Sequence, residues 1–395
     1  MYSDYVKIKI NRRVQTEYLL NNIIDKEFQS MLLPLGFVPS FFLMSHFRVI
    51  NNFITPENPL SSYIKSFIGS IFLVLCHFFR FYYFGKVFKS FSSDVTIFLL
   101  YFDVIFFTTV SIMLHIVRSS QSTNVVELII KLQHVLNSIK INKVEFFSKH
   151  KNQNWMWVFV IFVVYIFNWL SACQHYGCLD LLVNVILTVP MLIFDMYVVI
   201  VTRTVVMIKN ELRAWNHIME EYKNIYITPQ DNIINVSVSE TDMFDAYVNV
   251  IKAFRLCNKV YQFSFTSYGF QTFMHILVTL ELGLEIGKLS SELSYQSIMV
   301  KIMSFVWNMK SFVLMVVLSI ACENFYRSTK TAESSCAQLL QMRKTCKNVL
   351  RLNRASLRKM SAFGVFELDA MFPLRLLTAL VVYIVVLLQF AFLSS

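Results

Sequence analysis

Aromatic residues set beside hydrogen-bonding or ionisable ones recur inside long apolar stretches of this chain. The groups are Tyr101 and Asp103; Tyr165, Asn168 and Trp169; Asp180 and Asn184; His275 and Glu281; and Trp307, Asn308 and Lys310. Lipid solvates such groups poorly, so at membrane depth they face a bundle interior or a watery cavity. Aromatic faces beside a few polar groups are the make-up of a small-molecule pocket. The residues selected as ligand-binding are Tyr101, Asp103, Asn168, Trp169, His275, Trp307, Asn308 and Lys310, with Trp307-Asn308 expected to face Asn168-Trp169. Blander roles compete: interfacial belt residues for Trp and Tyr, a helix–helix hydrogen bond for Asn168, and a structural pair for Lys310 with Glu281.

The elements that must position these groups are apolar stretches long enough to span a bilayer, for which an α-helix needs about 20 residues. They run over 62–84, 94–117, 155–174, 179–202, 262–287, 297–320 and 370–392. A further apolar piece, Phe28 to Phe47, contains Pro34, Gly36 and Pro39. These are expected to break a straight helix and leave an interfacial or re-entrant entry segment. Residues 323–369 are cationic and amphipathic in places, which suggests helices extending below the membrane. The last stretch ends in TALVVYIVVLLQFAFL, apolar from Leu376 to Leu388 except for Thr378 and the Tyr383 hydroxyl. On a helix Val382, Val386 and Gln389 share one face, and Tyr383 and Phe390 share another.

Composition agrees with an integral membrane protein. Apolar residues make up 56% and charged residues 15%, against roughly 25% charged in soluble domains. No internal repeat is visible, which disfavours a transporter built from duplicated halves. The polar, basic start of the chain lacks the apolar core of a cleavable signal peptide. Of the 36 Lys and Arg, 28 lie in residues 1–60, 118–153, 203–260 and 323–369, and only 4 in 85–93 and 288–301. Cytoplasmic loops retain Lys and Arg, so the N-terminus is expected inside and the C-terminus outside. That is the reverse of a G-protein-coupled receptor. A basic face toward anionic membrane lipid accounts for much of the net charge of +11 without nucleic acid.

The C-terminal sequence resembles insect gustatory receptors, which close with a Thr-Tyr pair, five apolar residues and Gln-Phe. Tyr383, Ile384-Val385-Val386-Leu387-Leu388 and Gln389-Phe390 match that ending, while Val382 replaces the Thr. The resemblance implies an all-α integral membrane protein of seven transmembrane helices, in the plasma membrane, acting as a ligand-gated cation channel. It implies a homotetramer, or a heterotetramer with related receptors, whose pore is lined by the last helix. Val382, Val386, Gln389 and Phe390 would then belong to the pore and gate, with Val386 an apolar ring and Gln389 a polar one. Tyr383 would pack the helix. Ile384 stands where the family's sugar-sensing branch commonly carries Glu, so a bitter tastant is favoured. On this reading residues 1–60 are a cytoplasmic N-terminal segment and 61–322 the ligand-binding bundle. Residues 323–369 are cytoplasmic anchor helices, and 370–395 the pore-lining span.

Other classes find less support. There is no GxSxG, HExxH, GxGxxG or P-loop, so neither an enzyme nor a cofactor is expected. A metal site is not expected either. Cys173 and Cys178 could bridge locally across CQHYGC, and His175 between them is a thin ligand set. The sequon Asn235-Val236-Ser237 falls in a loop read as cytoplasmic, where it would stay unmodified. The alternatives are an odorant-receptor-like channel subunit, a G-protein-coupled receptor without an Asp-Arg-Tyr after its third span, and a transporter.

Overall fold

A computed structural model describes residues 22–41, 47–56, 59–88, 94–139, 142–176, 178–227, 239–289, 295–339 and 344–393. Short apolar α1 (Lys26–Phe41) is followed by a hairpin of β1 (Phe47–Ile50) and β2 (Phe53–Pro56). Six long helices come next: α2 (Pro59–Phe88), α3 (Asp94–Ser138), α4 (Lys143–Tyr176), α5 (Cys178–Ile227), α6 (Glu240–Leu289) and α7 (Tyr295–Gln338). Helix α8 (Lys344–Ser356), a second hairpin of β3 (Ser361–Ala362) and β4 (Phe366–Glu367), and α9 (Phe372–Leu393) complete the described chain. The seven apolar stretches fall one each on α2 to α7 and α9. Among the described residues, Leu60–Phe79, Lys143–Leu170, Thr188–Lys223 and Phe305–Gln338 are long and apolar enough to cross a membrane, and Phe372–Val386 is a shorter apolar piece.

Helix α5 is the axis of the packing. Its Thr188–Lys223 segment has 89% of its apolar window buried, as expected of a helix that is hydrophobic on every side. It packs on α4, α6 and α7, while α3 lies along α6. Stacked Phe254 and Phe325, with centroids 4.0 Å apart, join α6 to α7. Toward the far ends of these helices, Trp215 Nε1 donates to the Met243 carbonyl (2.8 Å), and Tyr247 donates to Asn353 Oδ1 of α8 (2.8 Å). Helices α2 and α3 approach closely at Gly69, where an added Cβ would lie 2.5 Å from His115 Cε1. A small-residue contact with hydroxyl bridges, such as Ser62 to Ser119 at 3.2 Å, is how helices meet when lipid removes the usual hydrophobic drive.

Pro34 and Pro39 do not end α1, contrary to the expectation from sequence. The helix continues through both, and each is buried with Phe28, Met31, Leu35 and Val38 against α4 and α5. A proline costs about 3 kcal/mol inside a helix, and burial of these apolar side chains at about 1.5–3 kcal/mol each offsets it. Asn154 Nδ2 adds a tie to the Met31 carbonyl at 2.8 Å. The following hairpin turns through Asn51 and Asn52, both with positive φ (51° and 67°). That is the backbone of a tight two-residue β-turn, and Asn tolerates it.

The second hairpin turns through Phe363 and Gly364 (φ 51° and 79°), and the Val365 amide donates to the Ala362 carbonyl. Tyr326 of α7 holds it from below. Its hydroxyl accepts from the Met360 amide (2.7 Å) and donates to the Leu368 carbonyl (3.1 Å). Asp369 then starts α9, its carboxylate accepting from the Met371 amide at 3.1 Å.

Candidate functional site

The site is built around Asp195, an acid in the apolar middle of α5. Its carboxylate is buried and accepts from three donors on three other helices. Tyr165 of α4 donates to Oδ2 at 2.8 Å, and Tyr268 of α6 donates to Oδ1 at 2.6 Å. Lys310 of α7 donates to Oδ2 through its ammonium. The side chains of Lys310 and Asp195 are 7% and 2% exposed, so the pair is taken out of solvent, where it survives only if its remaining lone pairs and protons are met. Two phenols and an aromatic wall meet that need.

Lys310 Nζ also sits over the Trp307 ring at 3.6 Å from its centroid and over Tyr165 at 4.7 Å. A cation on a ring face is drawn to the ring quadrupole. Tyr165 stands edge-on to Trp307 (5.1 Å) and to Trp169 (6.1 Å). Trp169 in turn donates from Nε1 to Thr188 Oγ1 at 2.7 Å. The result is a continuous aromatic and charged cluster joining α4, α5, α6 and α7. It brings together ring faces, hydroxyls and a matched pair of charges, the residue types of a small-molecule site, here engaged with one another. It offers no nucleophile activated by a base.

Of the residues selected from sequence, the structure brings Trp169, Trp307 and Lys310 together, with half-buried Asn168 beside Trp169 and buried Asn308 beside Trp307. Trp307 meets Tyr165 edge-on and carries Lys310 on its face, because the ammonium is pulled there by both ring and carboxylate. Lys310 pairs with Asp195. Tyr101 is half exposed on α3, and His275 is half-buried on α6. The side chains of Asp103, Cys173, His175, Cys178, Asp180, Asn184, Glu281 and Phe390, and the Asn235 sequon, lie outside the described residues. On α9, Val382 (56% exposed), Tyr383 (53%), Val386 and Gln389 are exposed, and Tyr383 also contacts Phe273 of α6 edge-on at 5.4 Å.

Sequence reasoning missed Asp195, Tyr268 and Thr188 as members. The signal for Asp195 was present: a lone acid within LIFDMYVVIV must have a partner.

No family model matches the sequence, and no curated protein matches it. Among solved structures, the chain is similar to the insect olfactory receptor OR5 of Machilis hrabei, solved in complex with eugenol. The two superpose with a TM-score of 0.57 at 11% identity, over 92% of this chain and 100% of that one. The nearly all-helical chain thus has the fold of an insect olfactory receptor.

Proposed function

We propose that this protein is a subunit of a small-molecule-gated cation channel of the odorant- and gustatory-receptor type. The observation that carries the reading is the Asp195–Lys310–Trp307 cluster, a buried polar–aromatic site between helices of a chain with this fold. The similar receptor was solved with a small molecule, and we assign small-molecule binding here to the four-helix cluster. A taste function, with a bitter tastant favoured, rests on the C-terminal Tyr383 to Phe390 ending and on Ile384 within it. Seven spans and an inside N-terminus rest on the apolar stretches and the charge bias, and plasma-membrane residence on the resemblance of the C-terminal ending. We assign the pore to α9 in a homo- or heterotetramer, with Val386 and Gln389 at its constriction and Val382 and Phe390 nearby.

The test is electrical. Cells expressing the chain, screened with a calcium readout against bitter compounds and sugars, should yield an agonist. That agonist should open currents in excised patches bathed without nucleotide. Currents that need GTP would replace this reading with a G-protein-coupled one. An epitope before Met1 should be labelled only after permeabilisation and one after Ser395 on intact cells; labelling of the first on intact cells would reverse the topology.

A further inference from the structure

Helix α8 ends on Ser356, and the chain around it reads Arg354-Ala355-Ser356-Leu357-Arg358-Lys359. Arg354, Arg358 and Lys359 are exposed, and Ser356 is half-buried. Lys359 pairs with Glu367 at 3.2 Å and with Asp369 at 2.8 Å. Among the described residues neither Arg354 nor Arg358 forms an ion pair. Exposed cations alone make an ordinary solvated face. Here they bracket one hydroxyl, two residues before it and two and three residues after it. Charge patterns of this kind are what a kinase cleft with an acidic rim selects in its substrates.

The local backbone suits such recognition, which needs an acceptor that can be drawn out of its helix. The Leu357 amide makes the last bond of α8, to the Asn353 carbonyl at 3.0 Å. Residues 357–360 have no regular structure before β3 begins at Ser361. Asn353, which ties α8 to Tyr247, precedes the basic segment, so unwinding from Arg354 onward leaves that anchor in place. The ends of helices open at small cost. Thr345, between Lys344 and Lys347, is the rival acceptor. It lies in the first turn of α8 beside fully buried Cys346, and drawing it out would open the core.

We propose that Ser356 is a phosphorylation site for a protein kinase that recognises basic residues on both sides of its acceptor. The γ-phosphoryl group of a nucleoside triphosphate passes to Ser356 Oγ. A bond forms between Oγ and phosphorus, the bond from that phosphorus to its bridging oxygen breaks, nucleoside diphosphate leaves, and the hydroxyl proton goes to the kinase's base. The product carries nearly two negative charges at the C-terminal end of α8, where the helix dipole disfavours them. Lys359 is only about 10 Å of main chain away. The phosphate therefore draws Lys359 from Asp369 and Glu367, and the clamp at the start of α9 loosens. The site rests on the proposed topology only for access from the cytoplasm, and its test needs neither agonist nor current.

The full chain, purified in detergent, is to be incubated with ATP and the catalytic fragment of protein kinase C, and the phosphate located by tandem mass spectrometry. Folded wild type should take up about one phosphate per chain at Ser356. Ser356→Ala should lose that label and Ser356→Thr should keep it. The double variant Arg354→Gln/Arg358→Gln changes only exposed side chains and should be labelled about tenfold more slowly. Phosphorylation should lower the melting temperature of wild type more than that of Lys359→Met, in which the clamp is already gone. Labelling of Ser356 only after heat unfolding, labelling of Thr345 with Ser356 untouched, or an unchanged rate in the double variant would overturn the site. An equal fall in melting temperature with and without Lys359 would overturn its effect on the clamp.

Discussion

Lys310 and Asp195, on α7 and α5, form an ion pair whose lone pairs are closed off by the hydroxyls of Tyr165 and Tyr268. Four helices therefore meet at one carboxylate. Removing one partner strands the other in a dry interior, at a cost of about 3–5 kcal/mol. Asp195→Ala should lower the melting temperature in detergent and reduce surface expression sharply. The double variant Asp195→Leu/Lys310→Met leaves no stranded charge and should melt above the Asp195→Ala single variant. A single variant that melts like wild type would show that the pair is not closed from solvent.

Trp307 carries the Lys310 ammonium on one face and the edge of Tyr165. Its truncation removes the ring that a ligand would share with the ammonium. Loss of an aromatic hot spot costs about 2 kcal/mol, or roughly 30-fold in potency. Trp307→Ala should shift the agonist dose–response by that factor at equal surface expression. Curves that overlay would take Trp307 out of the ligand site.

On α9 the two faces should separate by phenotype. Gln389→Ala, on the face shared with Val382 and Val386, should alter ion selectivity or block with normal surface expression. Tyr383→Ala, which loses the edge contact to Phe273 worth about 1 kcal/mol, should instead affect assembly or gating. Normal currents and expression in both would make the helix merely structural.

The clamp at the start of α9 should be sensitive to pH. Lys359 Nζ lies 2.8 Å from Asp369 Oδ2 and 3.2 Å from Glu367, and Arg375 lies 4.0 Å from Asp369. Partial burial pushes the Asp369 carboxyl up, but the hydrogen bond and charge of Lys359, with Arg375 and the Met371 amide, outweigh it and hold the group below its ordinary value. The hydrogen bond to Asp369 holds Lys359 above its ordinary value. The stabilisation from Asp369 is thus complete above about pH 4 and lost as pH falls through the lower folded value. That from Lys359 is complete below about pH 10 and lost as pH rises through its raised value. With Lys359 half exposed, the whole effect is about 1 kcal/mol or less. Asp369→Asn should lower the melting temperature by a constant amount between about pH 5 and 9 and by progressively less in acid. A difference that persists unchanged at about pH 2 would place the effect in the cap and not in the charge.

The helical architecture was legible because each apolar stretch is long and almost free of Gly and Pro. In Leu376–Leu388 local composition alone decides the outcome. The site was half legible. Trp169, Trp307 and Lys310 announced themselves as polar or aromatic groups at depth, but their true hub needed the crossing of α5 with α4, α6 and α7, information that lies between segments and not within any of them. Pro34 and Pro39 misled for the same reason: tertiary burial overrode a local penalty. Lys310 at depth called for an acid, and the helix packing supplies Asp195.

The Tyr326 hydroxyl gives α9 a mechanical character. It grips both the Met360 amide and the Leu368 carbonyl, and only Asp369, Ala370 and Met371 separate that grip from Phe372. So short a link has no slack to absorb movement. Helix α7, which also carries Lys310 and Trp307, is thereby tied through one side chain to the base of α9.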